Sequence, residues 1–459
     1  MTSAKNLAAM ASAIALSACS MYQKDNQLKT VQDDVRSRTS YTLERFGELP
    51  PAAPLSGTLT YDQVIKTALQ HNPSLQAYME DLNIASADEL QAGLLINPTF
   101  QGEFVFNGNG MRPLLDFMLA LDVGHILTRN QRVKAAVNER KNMQANVTRA
   151  IITTITSAQS NLLRLWRAEA MLRLYNEQLI IAEAGAKTVQ LLHDAGNVTD
   201  GMLAEYMGVL DITLVQKTQA QLLVLNAREA LASSTGTPLS TNVSASTNII
   251  DTSFDMNSDT FIKGAIEANL KLNGERQKLK ALGARFKLAK ISAWLEHLEL
   301  EAVYEREEDG AGEGFSVTVP VPIFDWGQVR TGRAQAMLDA TSYRYKAYYI
   351  YIRNRADVMH QYIVSLKAAS ARMTENYINN ADNAYAFDQS QLNAMQIGPL
   401  MLLRARRELT QKQMQTIDIQ YQFSMATLDA NAMIAGITLS NTTTENMMSS
   451  NMTTKEGGH

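Results

Sequence analysis

Six histidines, one cysteine and 22 methionines are the side chains best equipped for chemistry in this chain, and their spacing supplies little of it. His71, His125, His193, His297, His360 and His459 are scattered, with no His-x-x-x-His pair to grip a zinc ion from one helix face. The lone Cys19 excludes an internal disulfide framework and every cysteine-cluster metal site. The methionines, with a late run at Met447, Met448 and Met452, are soft enough to touch a metal ion in passing, but methionine more commonly fills gaps between helices. Gly310, Gly312 and Gly314 lack the following Lys-Ser/Thr of a phosphate cradle. No nucleophile, base and orienting group can be assembled, so neither an enzyme nor a cofactor or metal site is expected. The charges that do form a pattern are carboxylates. Glu103, Asp116, Asp122, Glu299, Glu301 and Glu305 fall on the polar faces of short alternating segments, and if those faces line a passage, its field favours cations.

The elements that position these groups come from the apolar period. The chain has 459 residues, a formal charge of −4, 46% hydrophobic and 19% charged residues, which excludes a nucleic-acid footprint and wholesale disorder. Period-2 alternation predicts strands at about 99–107 and 115–124, then at about 297–306 and 314–322, joined by turn-rich loops at 108–110 and 309–314. Strands of this length with one apolar and one polar face suit a bilayer crossing, although a hairpin lying on a soluble core alternates identically. Trp294 and Trp326 flank the second pair, where they would anchor it at a membrane boundary or serve as core residues. No run of 18 apolar residues follows the N-terminus, so any crossing is made by strands.

Long helices follow each strand pair. Ile151, Ala158, Leu165, Leu172, Leu179 and Ala186 recur every seven residues, a coiled-coil-like seam in a helix from about 130 to 195 that would reach on the order of 100 Å. A Gly/Asn turn at 195–201 sends the chain back to about Ser234, and Gln396-Ile397-Gly398-Pro399 does the same later. The segment Ala68-Leu69 to Leu75 recurs loosely as Ala265-Ile266 to Leu272, an offset of 197 that also places Ile126 on Ile323 and Gln131 on Gln328. The expected organisation is therefore an extended arm over 19–57, one repeat over 58–250, a second over 251–436 and a disordered tail over 437–459. Four strands cannot close a barrel, and an open edge in hydrocarbon leaves backbone groups unpaired, so closure requires other copies.

Lys5, the apolar run from Leu7 to Leu16 and the sequence Leu16-Ser17-Ala18-Cys19 resemble a bacterial lipoprotein signal. That resemblance implies removal of residues 1–18, lipid including palmitate on Cys19 and, with Ser20 next, an outer-membrane location; an ordinary secretory signal is the alternative. Leu59-Thr60-Tyr61-Asp62 with Asn72-Pro73-Ser74-Leu75, then Ala92 to Thr99, then Val319-Pro320-Val321-Pro322-Ile323-Phe324-Asp325-Trp326-Gly327, together resemble the TolC-type outer-membrane efflux proteins over roughly 58–436. The resemblance implies a mainly α fold with a membrane β-barrel: a homotrimer whose 12-stranded barrel, four strands per chain, continues into a long periplasmic α-helical barrel. It also implies a passive exit duct served by an inner-membrane pump and a periplasmic adaptor protein. By position in that family, Gly196, Asn197, Val198, Thr199, Gln396, Ile397, Gly398 and Pro399 are the tips that contact the adaptor and close the aperture. Where several relatives carry an acidic residue after the second tip, this chain has Arg404, with Glu205 at the equivalent place in the first repeat. A gate ion pair and two merely solvated charges are both open readings. Outside that family, a lipid-anchored periplasmic coiled-coil scaffold without a channel is the alternative.

Overall fold

The computed structural model describes residues 25–42, 53–106, 114–250, 253–295, 298–307, 310–319 and 321–438. Cys19, the first turn-rich loop at 108–110, His297, His459 and the tail from 439 lie outside them. The described residues fall into two compact units, one holding 25–34, 77–148 and 270–350, the other 35–76, 149–269 and 351–438.

The first correction concerns the arm, expected to be extended: residues Asp25–Thr39 form helix α1. Val31 and Val35, one turn apart, are buried, and Arg38 Nη1 donates to the carbonyls of Ala268 (2.8 Å) and Ala435 (3.2 Å), which end two later helices. A buried apolar pair and a cation on otherwise orphaned carbonyls give this polar segment a reason to be helical. Further on, β1 (Thr58–Leu59) pairs in parallel with β4 (Ser244–Ala245).

Helix α2 (Tyr61–His71) opens on a capping box, Thr60 accepting from Gln63 N while the Gln63 side chain accepts from Thr60 N. Asn72 leaves the helical conformation before Pro73, and α3 (Pro73–Gly93) follows. The same order recurs later as α6 (Ser258–Ala268), an extended Asn269 and α7 (Leu270–Leu295).

Four antiparallel strands make one sheet in the first unit, in the order β2 (Thr99–Val105), β3 (Leu114–Asp122), β5 (Glu299–Glu307), β6 (Gly310–Thr318). Two expectations about it are overturned. The fourth strand begins at Gly310, not near 314, so Gly312 and Gly314 lie in the ladder opposite Glu305 and Val303, and Val319 and Val321 lie beyond its end. A ladder is made of backbone groups, so glycines extend it, and the full length of β5 finds partners only with this register. The long helix α4 starts at Val123, about seven residues earlier than the apolar pattern suggests. Asp122 explains the early start: its Oδ1 accepts from His125 N at 2.6 Å, a side-chain cap that turns strand directly into helix.

Helix α4 (Val123–Asp194) has 72 residues, about 110 Å of helix, and α5 (Asp200–Thr235) returns beside its lower part. Of the heptad residues, Ile151, Ala158, Leu165, Leu179 and Ala186 are buried and Leu172 half-buried. Leu162, Leu163 and Leu165 of α4 pack with Val64, Leu231 and Leu59 in the second unit's main core. Each such side chain is worth about 1.5–3 kcal/mol once removed from water. After β6 the chain forms α8 (Gln328–Arg372), a π-helical turn Met373–Tyr377, α9 (Ile378–Asn393) and α10 (Pro399–Ala435), and Phe261, Phe423, Met359 and Ile363 knit a second core. The offset between the halves grows from 197 at Gln131/Gln328 to 199 at the turns, so the later helix carries extra residues, and a π turn absorbs one without breaking the helix.

Candidate functional site

Strand pairing decides which side chains stand together. Glu103 lies opposite Asp116, and Asp116 opposite Glu305, so three carboxylates sit side by side across β2, β3 and β5. Asp122 faces Glu299, and Glu301 lies between Ala120 and Ser316. The six carboxylates expected on one face therefore share it; by register no Lys, Arg or His of the described strands lies on that face, although Arg306, beside Glu305, lines one cavity with Glu103, Asp116 and Glu305. Asp122 differs from the other five in being occupied as the cap of α4.

The opposite face is largely apolar, with Arg306 and Glu313 as its charged members. Phe117 stacks on Phe100 at 5.9 Å, meets Phe104 edge-on at 5.5 Å and lies 6.2 Å from Tyr304. Phe100 is 69% and Phe315 84% exposed, so this face finds no cover among the described residues. The outer edges of β2 and β6 have no strand partner among the described residues. A sheet with one acidic face, one largely apolar, exposed face and two open edges has its needs met by hydrocarbon on one side, water on the other and further strands at its ends.

At the far ends of the long helices, two turns share one backbone design. In the first, Gly196 has φ +71°, its N–H donates to His193 O (2.8 Å), Asn197 N donates to Leu192 O (2.8 Å), and Thr199 caps α5 by accepting from Met202 N. In the second, Met395 N donates to Leu392 O (2.9 Å), Gln396 N to Gln391 O (2.8 Å), and Gly398 and Pro399 open α10. Val198 and Ile397 occupy matching places. The left-handed position in this second turn belongs to Met395, φ +59°, 93% exposed. Sequence reasoning missed it, although an offset of 199 sets Met395 on Gly196. An L side chain in this conformation costs about 1–2 kcal/mol, and strain held in an exposed turn marks a constrained surface. Met395→Gly should relieve most of that cost and slow amide hydrogen exchange at Met395 and Gln396 several-fold, whereas Gly196→Ala should speed it at Gly196 and Asn197.

A polar contact also bridges the first turn: His193 Nε2 and Asp200 Oδ1 are 2.6 Å apart. That bond, joined by Asp194, raises the histidine pKa. Farther along the helices, Arg406 meets Glu177 at 3.1 Å and Arg167 meets Asp418 at 2.6 Å, tying α10 to α4.

Glu205 and Arg404 line one small cavity with Gln178, Gly185, Tyr206 and Arg407, yet their charged groups do not come within the 4.0 Å of an ion pair. The guanidinium lies instead against Tyr206, whose hydroxyl is the main cause of its raised pKa, with Glu205 contributing from farther off. Tyr206 reaches this place because Gly185 lets its ring lie on α4; a Cβ there would come 3.1 Å from the ring. The Tyr206 hydroxyl oxygen is buried and makes no hydrogen bond of good geometry. Among the described residues no three His, Cys, Asp or Glu side chains cluster as metal ligands, and no helix is long and apolar enough to cross a membrane.

No family model and no curated protein sequence matches this chain. Solved structures do. The outer-membrane channel OprN superposes with a TM-score of 0.65 at 12% identity, over 82% of this chain and 90% of its own. The Campylobacter jejuni outer-membrane channel CmeC gives 0.64 at 15%, over 88% and 97%. CusC, whose structures concern folding and transmembrane channel formation, gives 0.60 at 14%, over 86% and 96%. At such identities the likeness is one of fold, and it extends over nearly the whole of each of those chains.

Proposed function

We propose, from the premise that this chain has the fold of the TolC-type outer-membrane channels, that it is the outer-membrane exit duct of an efflux system. Three copies close their sheets edge to edge into one 12-stranded barrel, and their long helices continue the passage into the periplasm. Cargo arrives from an inner-membrane pump through a periplasmic adaptor that meets the turns at 196–199 and 396–399, and the duct itself is passive. Cys19 carries the lipid that adds a second hold on the membrane, and no other cofactor takes part.

One observation carries this reading: the four-stranded sheet has an acidic face, an exposed apolar face and two open edges, a combination without purpose in a periplasmic spacer. Class averages of the detergent-purified mature protein, followed by single-channel recording in planar bilayers, test it. Three-fold particles with a detergent belt at one end and stepwise conductance are expected. Monomers without a belt, inert in the bilayer, would overturn the duct and favour the lipid-anchored scaffold.

A further inference from the structure

The second strand pair is flanked on both sides by the same small pattern. Trp294, 62% exposed, stands at the end of α7, with Lys290 and Lys287 four and seven residues back along the helix. Trp326, 60% exposed, stands just before α8, with Arg330 and Arg333 four and seven residues on. On α7, steps of four and seven keep both lysines on the stripe of Trp294, about 6 and 10 Å along the axis, while Trp326 lies just outside α8, whose first two turns carry Arg330 and Arg333. Lys287, Lys290 and Arg333 are exposed, and no acidic residue occurs from Lys278 to Leu295. Ile291, Ile323 and Phe324, close in sequence to the two tryptophans, are exposed as well.

We propose that these two patterns bind the headgroups of anionic phospholipids in the leaflet on the helix side of the membrane. The inference rests on the membrane reading of the sheet. Tryptophan settles at the level of the headgroups, which puts cations one and two helical turns away from it against lipid phosphates. The occupant is a lipid rather than a protein because α7 leads straight to a sheet with exposed apolar side chains and carries no acidic residue over its last turns; on the α8 side Asp325 pairs with Arg330 at 3.6 Å, which leaves the phosphate contact there to Arg333. Arg276 and Lys280 extend the α7 stripe, but lie about 27 and 21 Å from Trp294, beyond a headgroup's reach and well beyond a Debye length of about 8 Å. They therefore serve as an internal control.

Full-length protein would be reconstituted with equal amounts of phosphatidylglycerol and zwitterionic phosphatidylethanolamine, and the lipids it retains counted by native mass spectrometry. Wild type should retain phosphatidylglycerol preferentially. Lys287→Gln/Lys290→Gln/Arg333→Gln should lower that preference at least roughly fivefold. Arg276→Gln/Lys280→Gln should leave it unchanged. No preference in wild type, an unaffected triple variant, or equal losses in both variants would each overturn the proposal. Protein that fails to float with the vesicles would instead sink the membrane reading itself, and the two failures are told apart by that flotation step.

Discussion

Gly124→Ala should abolish stable, membrane-inserted protein. A Cβ at this position would stand 1.7 Å from the carbonyl oxygen of Leu295 and 2.8 Å from its carbon, both backbone atoms that no rotamer change can move. The crowding has a reason. Val123 and Gly124 donate their N–H groups to Leu298 O at 2.9 and 3.2 Å, so the exit from the first strand pair is locked to the approach to the second. Making room requires the two backbones to part by more than an ångström, which breaks both bonds where β3 and β5 begin their pairing. Overpacking elsewhere in cores costs about 1–3 kcal/mol, and a clash between main chains at a junction should exceed that range. Gly93→Ala is the matched control: its Cβ would meet Arg129 and Val133 at 3.7 and 3.8 Å, ordinary contact, and should shift stability by about 0.5 kcal/mol or less. Thermal unfolding of the detergent-solubilised protein, with the inserted yield, reads both variants. Wild-type melting of Gly124→Ala would show that the junction is loose enough to yield.

How far the sequence could be read follows from which signals are local. The Asn72-Pro73 break, the alternation of Phe100, Gly102 and Phe104, and the Gly/Asn turn after Asp194 are written in neighbouring residues, and the structure has an element boundary or a strand face at each. The start of β6 was hidden because its glycines read as a loop, while the ladder they join is set by β5. Asp122 read as one more alternating carboxylate; only the nearby His125 N–H makes it a cap. Arg38 was illegible for the same reason on a larger scale, since Ala268 and Ala435 are more than two hundred residues away. At the turns, the positions belonged to the local signal, but the strain at Met395 and the preference of Arg404 for Tyr206 did not. Those depend on backbone angle and on a glycine, Gly185, on another helix.

Asp116→Asn should make the protein more stable and its conductance less selective for cations. Both effects come from one arrangement, in which Asp116 stands between Glu103 and Glu305 on adjacent strands and one of its own oxygens is buried without a hydrogen bond. Like charges directly opposite each other across strands are destabilising, by about 0.2–1 kcal/mol for each pair. A merely structural position would not be expected to hold three of them in a row. In a closed barrel three such rows would surround one level of the lumen, where low-dielectric walls focus the field to potentials of several kT. Cations gain and anions lose in the same potential, so the permeability ratio changes roughly sevenfold for each kT removed. The triple variant Glu103→Gln/Asp116→Asn/Glu305→Gln should therefore bring the reversal potential in a salt gradient most of the way to that of an unselective pore, at unchanged or raised melting temperature. Anion preference in wild type, or an unchanged reversal potential in the triple variant, would show that the acidic face does not line the conducting path. Opposite movements of stability and selectivity are the informative outcome, because loss of fold would lower both together.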